Sequence, residues 1–204
     1  MAILFLIRHG HNDAVGKKLV GRLPDVHLNA EGQAQAQKLA EALAGLEITA
    51  VIASPLERAQ ETAEPIAKSH DLTVETLPDL LEIDFGKWQG RTFKQLKRLK
   101  LWKKVQETPS EVRFPDGESF SEAQERVAKG LIALSQQYGE KEKVICVAHS
   151  DVIRLAVAYF LGLPLDRFQR IRISPASISV LFLHEGNGFF GPINHSFDFP
   201  KNFE

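Results

Sequence analysis

Residues 3–10 read Ile-Leu-Phe-Leu-Ile-Arg-His-Gly. The apolar run does not alternate and is far too short to span a membrane. It has the pattern of a strand buried on both faces of a parallel sheet. Open parallel sheets hold their chemistry just beyond the carboxyl ends of their strands. Arg8 and His9 fall at that place. Gly10 is expected to supply a sharp turn there, because glycine tolerates dihedrals closed to other residues.

A second strand ends in the same way. Residues 143–148 read Lys-Val-Ile-Cys-Val-Ala and run into His149-Ser150. A single strand-end histidine is commonly a core group satisfied by nearby backbone. Two of them, each leading into a turn or helix start, point to one site. A third strand, about 50–54, runs into Ser54-Pro55-Leu56-Glu57-Arg58. Ser54 as cap, Pro55 at the first helical position and Glu57 three residues after the cap form a helix-start signal. Arg58 then lies in a first turn, where free N–H groups and the helix dipole suit an anion. The alternative is a surface arginine paired with Glu61. In the stretch Leu81-Glu82-Ile83-Asp84-Phe85-Gly86-Lys87-Trp88-Gln89-Gly90, Glu82 and Asp84 alternate with apolar residues. They are expected to point to one side of an extended segment.

The intervening segments read as helices. Residues 30–44 follow Asn29 and place Ala36, Leu39, Ala40 and Leu43 on one face. Residues 55–69 follow the Ser54 signal. Residues 120–138 start at a second capping box, Ser119 with Glu122, and carry an apolar stripe from Ala123 to Tyr138 before Gly139. Residues 151–161 follow His149 and stop near Gly162 and Pro164. A further strand lies at about 72–77. Segments 177–184 and 189–194 flank Glu185-Gly186-Asn187-Gly188 and read as a hairpin. The expected fold is α/β: a three-layer sandwich with a mostly parallel central sheet, helices on both faces, an antiparallel edge strand and a partly helical lid insert. At 204 residues the chain reads as a single domain, with the insert at about 85–118.

Composition bounds the partners. An apolar share of 44% supports a sizeable core. A net charge of −1 gives no global field for nucleic acid or membrane. The lone Cys146 sits in a strand pattern and reads as core, compatible with a reducing compartment. The first residues lack the basic leader of a signal peptide, and no run reaches transmembrane length, so a cytoplasmic location is expected. The insert is basic, with nine Lys and Arg from Lys87 to Arg113 against Glu107, Glu111, Asp116 and Glu118. These read as a solvated face, or alternatively as a lure for multiply charged substrates. Phe189, Phe190, Phe197, Phe199 and Phe203 crowd the tail. Packing on the chain's own fold is expected of them, or else a homodimer contact; the protein is read as a monomer or homodimer.

Four motifs together resemble the histidine phosphatase superfamily, in its phosphoglycerate-mutase-like branch. They are R-H-G at 8–10, S-P-L-E-R-A-x-E-T-A at 54–63, L-x-E-x-D-F-G-x-W-x-G at 80–90 and A-H-S-D-V-I-R at 148–154. Arg167 to Ser179 also looks like small members of the family. The resemblance implies that His9 is a nucleophile forming a phosphohistidine. It implies that Arg8, Arg58 and His149 hold the transferring phosphoryl group, and that Glu82, rather than Asp84, is the proton donor. Guanidinium forks and imidazoles would supply the charge stabilisation that phosphoryl transfer requires, with no metal or other cofactor. Gly21 and Arg22 fall where relatives often contact substrate, the alternative being an ordinary turn with an exposed arginine; Asn12 can hydrogen-bond a phosphate through its amide or backbone N–H, and Ser150, a helix-start residue, is a further substrate-binding candidate.

Two departures stand out. His11-Asn12 replaces a common Glu/Gln-Thr/Ser pair, and Ser150-Asp151 replaces Gly-Gly. His11 reads as solvated or core-packed, and Asp151 is expected to point away from the site. The implied activity is phosphomonoester hydrolysis on a small phosphorylated metabolite. The alternatives are a cofactor-dependent phosphoglycerate-type mutase and a non-catalytic phosphate- or phosphopeptide-binding module.

Overall fold

The structure, a computed structural model, describes residues 1–197. Six strands form one sheet: β1 (Ala2–Arg8), β2 (Ala50–Ala53), β3 (Val74–Thr76), β4 (Lys143–Ala148), β5 (Ile178–His184) and β6 (Asn187–Phe190). Their order is β3-β2-β4-β1-β5-β6. The pairs β1–β4, β2–β4 and β2–β3 are parallel. The antiparallel edge is a pair of strands rather than one, since β5 joins β1 antiparallel and β6 joins β5.

Alternate residues of the strands feed two apolar layers. Leu4, Leu6, Val144, Cys146, Leu181 and Leu183 pack with the helices α5 (Phe120–Ser135) and α6 (Ser150–Phe160). Ile7, Ile145, Val147 and Val51 pack on the other face with α1 (Ala30–Leu43) and α2 (Glu57–Lys68). The period of two along each strand therefore fills both faces, as a central parallel sheet demands. The 85–118 segment adds the short helices α3 (Phe93–Leu96) and α4 (Lys100–Glu107). It buries Phe85, Trp88, Leu96, Val105 and Phe114 into the first layer.

Several boundaries differ from the sequence reading, each for a local reason. Helix α2 begins at Glu57, with Leu56 as its cap and no side-chain cap bond. The Ser54 hydroxyl lies 3.4 Å from Leu56 N but 2.8 Å from His149 Nε2, so the expected cap serves the histidine instead. Helix α5 has the expected capping box but stops at Ser135, short of Gly139. Gly139 N–H instead donates to the Glu142 carboxylate. Helix α6 ends on Gly162 in a left-handed conformation (φ 65°). Gly162 N–H reaches Tyr159 O and Leu163 N–H reaches Ala158 O, a Schellman closure. The hairpin turn holds two residues, not four. Glu185 (φ 48°) and Gly186 (φ 80°) both take the positive φ of a type I′ turn, and His184 pairs with Asn187.

Three of the tail phenylalanines are described. Phe189 stacks on Phe182, Phe190 packs against the first layer, and Phe197 is 48% exposed. Phe199 and Phe203 lie outside the described residues. Among those described, no helix is long and apolar enough to cross a membrane.

Candidate active site

The carboxyl ends of β1, β4 and β2 lie side by side. Arg8 is in register with Ala148, and His9 N–H donates to Ala148 O at 3.0 Å. That register sets the His9 and His149 rings 5.2 Å apart between centroids. Ser54, just past β2, donates its N–H to Val147 O, which brings its hydroxyl onto His149. Helix α2 then delivers Arg58 from its first turn, 1% exposed, with Nη2 donating to Gly21 O at 2.7 Å. Glu61 is engaged by His27 and Leu28 N–H, so the surface pairing of Arg58 with Glu61 does not form.

A cavity of about 290 Å³ has Arg8, His9, Arg58, Glu82, Asn12 and Ser150 in its wall, while His149 and Ser54 are fully buried beside His9 and are not part of that wall. Gly21 also borders the cavity. Arg22 does not. Its Nε donates to the Glu82 carbonyl at 2.7 Å and its Nη2 to Glu118 Oε1 at 2.8 Å, so its guanidinium lies behind the site. Asp84 is likewise turned aside, its Oδ1 accepting from Gly86 N. His11 binds the Asn29 amide and stays out of the cavity wall. Asp151 corrects the expectation that it points away. It borders the cavity and pairs with Arg154 at 2.9 Å, three residues on along α6.

Protonation follows from the surroundings. His9 Nδ1 lies 2.7 Å from Gly10 O, a carbonyl that can only accept. Nδ1 therefore carries the proton and Nε2 keeps its lone pair. Burial, then the Arg58 and Arg8 guanidiniums, hold His9 well below the usual imidazole range. Burial and the same arginines do so for His149. Burial pushes the Glu82 carboxyl up to about 7, with Asp151 adding to the rise while Ile83 N–H, Arg58 and Arg8 oppose it. Burial lowers Arg8 to about 10 and lowers Arg58 as well, yet both remain cations at neutral pH.

Five buried side-chain nitrogens at the site have no partner within the described protein: Arg8 Nε, Arg58 Nε, Arg58 Nη1, His149 Nδ1 and Arg154 Nε. Buried donors of this kind are costly unless something accepts from them. A tetrahedral oxyanion fits that set, because a guanidinium presents two N–H groups to two oxygens. Among the described residues no group of three or more His, Cys, Asp and Glu is placed to hold a metal ion.

Close backbone approach builds the loop after β1. A Cβ on Gly10 would sit 2.6 Å from Gly32 O, and one on Gly32 would sit 2.1 Å from His11 O. Gly10 has no positive φ, so proximity to α1, not an unusual dihedral, accounts for this glycine. Gly10 N–H donates to Thr62 Oγ1, and that hydroxyl donates to Arg58 O. Thr62 thus ties the His9 loop to the Arg58 helix. Sequence analysis assigns Thr62 no role; its i+4 spacing from Arg58 on one helix face is the signal that could have found it. The basic insert makes its own pairs, Lys87 with Asp116, Lys104 with Glu111 and Arg113 with Glu122. None of its nine cations is in the cavity wall. An aromatic recess of about 270 Å³, formed by Trp88, Phe93, Trp102 and Phe114, adjoins the cavity and shares Phe85, Asp151 and Arg154 with it.

The ends of the parallel strands, helix α2 and the segment at Glu82 thus gather two buried imidazoles, the Arg8 and Arg58 guanidiniums and a buried carboxyl around one cavity, a set suited to an oxyanion such as a phosphoryl group. The chain belongs to the histidine phosphatase superfamily, branch 1, whose family model matches residues 4–194. Its relatives include phosphatases and phosphoglycerate-mutase-like proteins. Phosphoserine phosphatase 1 of Hydrogenobacter thermophilus is 30% identical over 190 residues, covering 91% of this chain and 88% of that protein. A probable phosphoglycerate mutase of Enterobacter sp. (strain 638) is 33% identical over 181 residues, covering 88% and 84%. An uncharacterized Mycobacterium tuberculosis protein is 60% identical over 77 residues, a stretch covering 38% of each chain. The solved phosphoserine phosphatase of Entamoeba histolytica, in complex with 3-phosphoglyceric acid, superposes with a TM-score of 0.84 at 27% identity, covering 97% of this chain and 98% of that one.

Proposed function

We propose that this protein is a metal-independent phosphomonoesterase that hydrolyses small phosphorylated metabolites through a phosphohistidine at His9. The observation that carries this reading is the His9 tautomer, with Nδ1–H fixed on Gly10 O and Nε2 unprotonated beside unpartnered arginine donors. His9 Nε2 attacks phosphorus, the N–P bond forms and the ester P–O bond breaks. Glu82 gives its proton to the departing alkoxide, a task suited to a carboxyl held near neutrality. Water then attacks the phosphohistidine and gives a proton to the Glu82 carboxylate. The N–P bond breaks and returns neutral His9. Arg8, Arg58 and His149 hold the phosphoryl oxygens as charge spreads over them. Ser54 donating to His149 Nε2 would leave the proton on Nδ1, which has no partner in the described protein. Asn12, Gly21 and Ser150 border the cavity, and the segment 85–118 reaches it through Phe85 and Phe93. The adjoining aromatic recess offers apolar contact to the leaving group.

A mutase is the second reading, favoured by the similarity to the probable phosphoglycerate mutase. A screen of phosphorylated metabolites with the wild type and His9→Ala tests both. Phosphate release by the wild type alone supports hydrolysis. Bisphosphate-dependent interconversion of phosphoglycerates, without net phosphate release, supports the mutase. Turnover that survives His9→Ala overturns both.

A further inference from the structure

Glu82 sits on backbone that has no regular structure, residues 81–85 lying between two short 3₁₀ turns. Neither a helix nor a sheet ladder holds its main chain. Three charged side chains from elsewhere do so instead. Arg126, on α5, donates from Nη1 to the carbonyls of Asp79 (2.6 Å) and Leu81 (3.0 Å). Arg22, in the loop after β1, donates from Nε to the Glu82 carbonyl at 2.7 Å. Glu118, just before α5, accepts from Asp84 N–H at 3.0 Å. The segment is thus gripped on both sides of Glu82 and at Glu82 itself.

The three grips form one unit. Glu118 Oε1 takes Arg22 Nη2 at 2.8 Å and Arg126 Nε at 3.0 Å. Its Oε2 takes Arg126 Nη2 at 3.1 Å together with Asp84 N–H. One carboxylate therefore fixes two arginines, and the two arginines fix three carbonyls. All three side chains are largely covered, at 19–26% exposure. Charge-assisted bonds in partly buried networks are stronger and more directional than exposed ones. The Glu118 carboxyl lies below its usual range. Burial acts to raise it but is outweighed by Arg126, Asp84 N–H and Arg22.

The geometry points to Glu118, with Arg22 and Arg126, as a positioning triad that sets the place of the Glu82 carboxyl. None of the three is in the cavity wall, so they act through Glu82 and not on substrate. This rests on the reading of Glu82 as the proton donor. Proton transfer demands hydrogen-bond reach, and a misplacement of about 1 Å can cost ~10²-fold in rate. The alternative for such a network is plain structural support of the fold.

Single-turnover phosphoenzyme formation separates these ideas. Two donors are compared: an alkyl phosphate, whose leaving group needs a proton, and 4-nitrophenyl phosphate, whose leaving group does not. Glu82→Gln sets the reference and should slow the alkyl donor far more than the aryl one. Glu118→Gln and Arg22→Ala should reproduce that split, with an alkyl-specific loss of about 10–100-fold and an aryl rate within about threefold of wild type. Arg22→Lys, which keeps charge but loses the fork, should recover only part of the loss. Thermal melts confirm that each variant is folded; if Glu118→Gln is not, the Arg22 pair carries the test alone. Equal losses on both donors, or none, in folded variants would overturn the positioning role. Absence of the split in Glu82→Gln itself would instead overturn the proton-donor reading.

Discussion

Glu82→Gln should make the protein more stable while making it a worse enzyme. The carboxyl ordinarily titrates at 4.5 and is pushed up to about 7 here, chiefly by burial. Between those values the folded protein holds a proton that the unfolded chain has released. The unfolded state then binds fewer protons, so unfolding free energy falls as pH rises through that window and levels off above it. The displacement is worth about 3 kcal/mol at ~1.4 kcal/mol per pH unit, as an upper bound. Glutamine is close in shape to the neutral acid and has no charge to desolvate. The substitution should therefore be nearly neutral near pH 5 and stabilising by about 1–3 kcal/mol near pH 8. Urea unfolding of both proteins at the two pH values gives the double difference, in which every other titrating group cancels. A gain confined to the alkaline side would show a functional group held at a cost in stability. Parallel pH profiles for the two proteins, or a loss at pH 8, would refute the argument that Glu82 is kept protonated by burial.

The buried histidines act in the opposite direction. His9 and His149 are held neutral well below 6.5, so the unfolded state binds protons the folded state refuses. Stability should fall as pH drops below about 6.5, by up to ~1.4 kcal/mol per unit for each, and His149→Gln should flatten that limb in urea titrations. Phosphate or vanadate should raise the melting temperature by filling the unpartnered donors. At a hundredfold excess over Kd the effect is about 2.7 kcal/mol, and Arg58→Ala should abolish the shift. Arg58→Lys should restore little of it, because lysine lacks the fork. Gly32→Ala should destabilise by about 1–3 kcal/mol through overpacking, since its Cβ would meet His11 O at 2.1 Å. Chemical denaturation would measure that loss, and activity should fall with it as the His9 loop shifts.

The strand ends were the legible part of this molecule. Burial on two faces writes an unbroken apolar run, as in residues 3–7 and 144–148, and the register of β1 against β4 brings Arg8, His9 and His149 together once those runs pair. The Ser119–Glu122 box was legible because both partners are local. Ser54 was not, because its hydroxyl answers to a residue 95 positions away. Arg22 read as a substrate contact because the sequence places it beside Gly21 and is silent on which way the guanidinium turns. It turns toward Glu118 and the Glu82 carbonyl. Glu118 itself read as one of four acids in a basic insert, although its place just before a capping box, eight residues from Arg126, was a usable sign. Asp151 was expected to avoid a phosphate site, yet the Arg154 pairing lets it border the cavity. Position 10 read correctly as glycine-dependent for the wrong reason: the constraint is tertiary, the approach of α1.

Rapid quench with a ³²P-labelled phosphate donor, followed by mapping of the labelled peptide, addresses the central claim most directly. Base-stable, acid-labile label on His9, absent in His9→Ala, is the predicted result. A turning-over enzyme that never carries label, or carries it on another residue, would contradict the account.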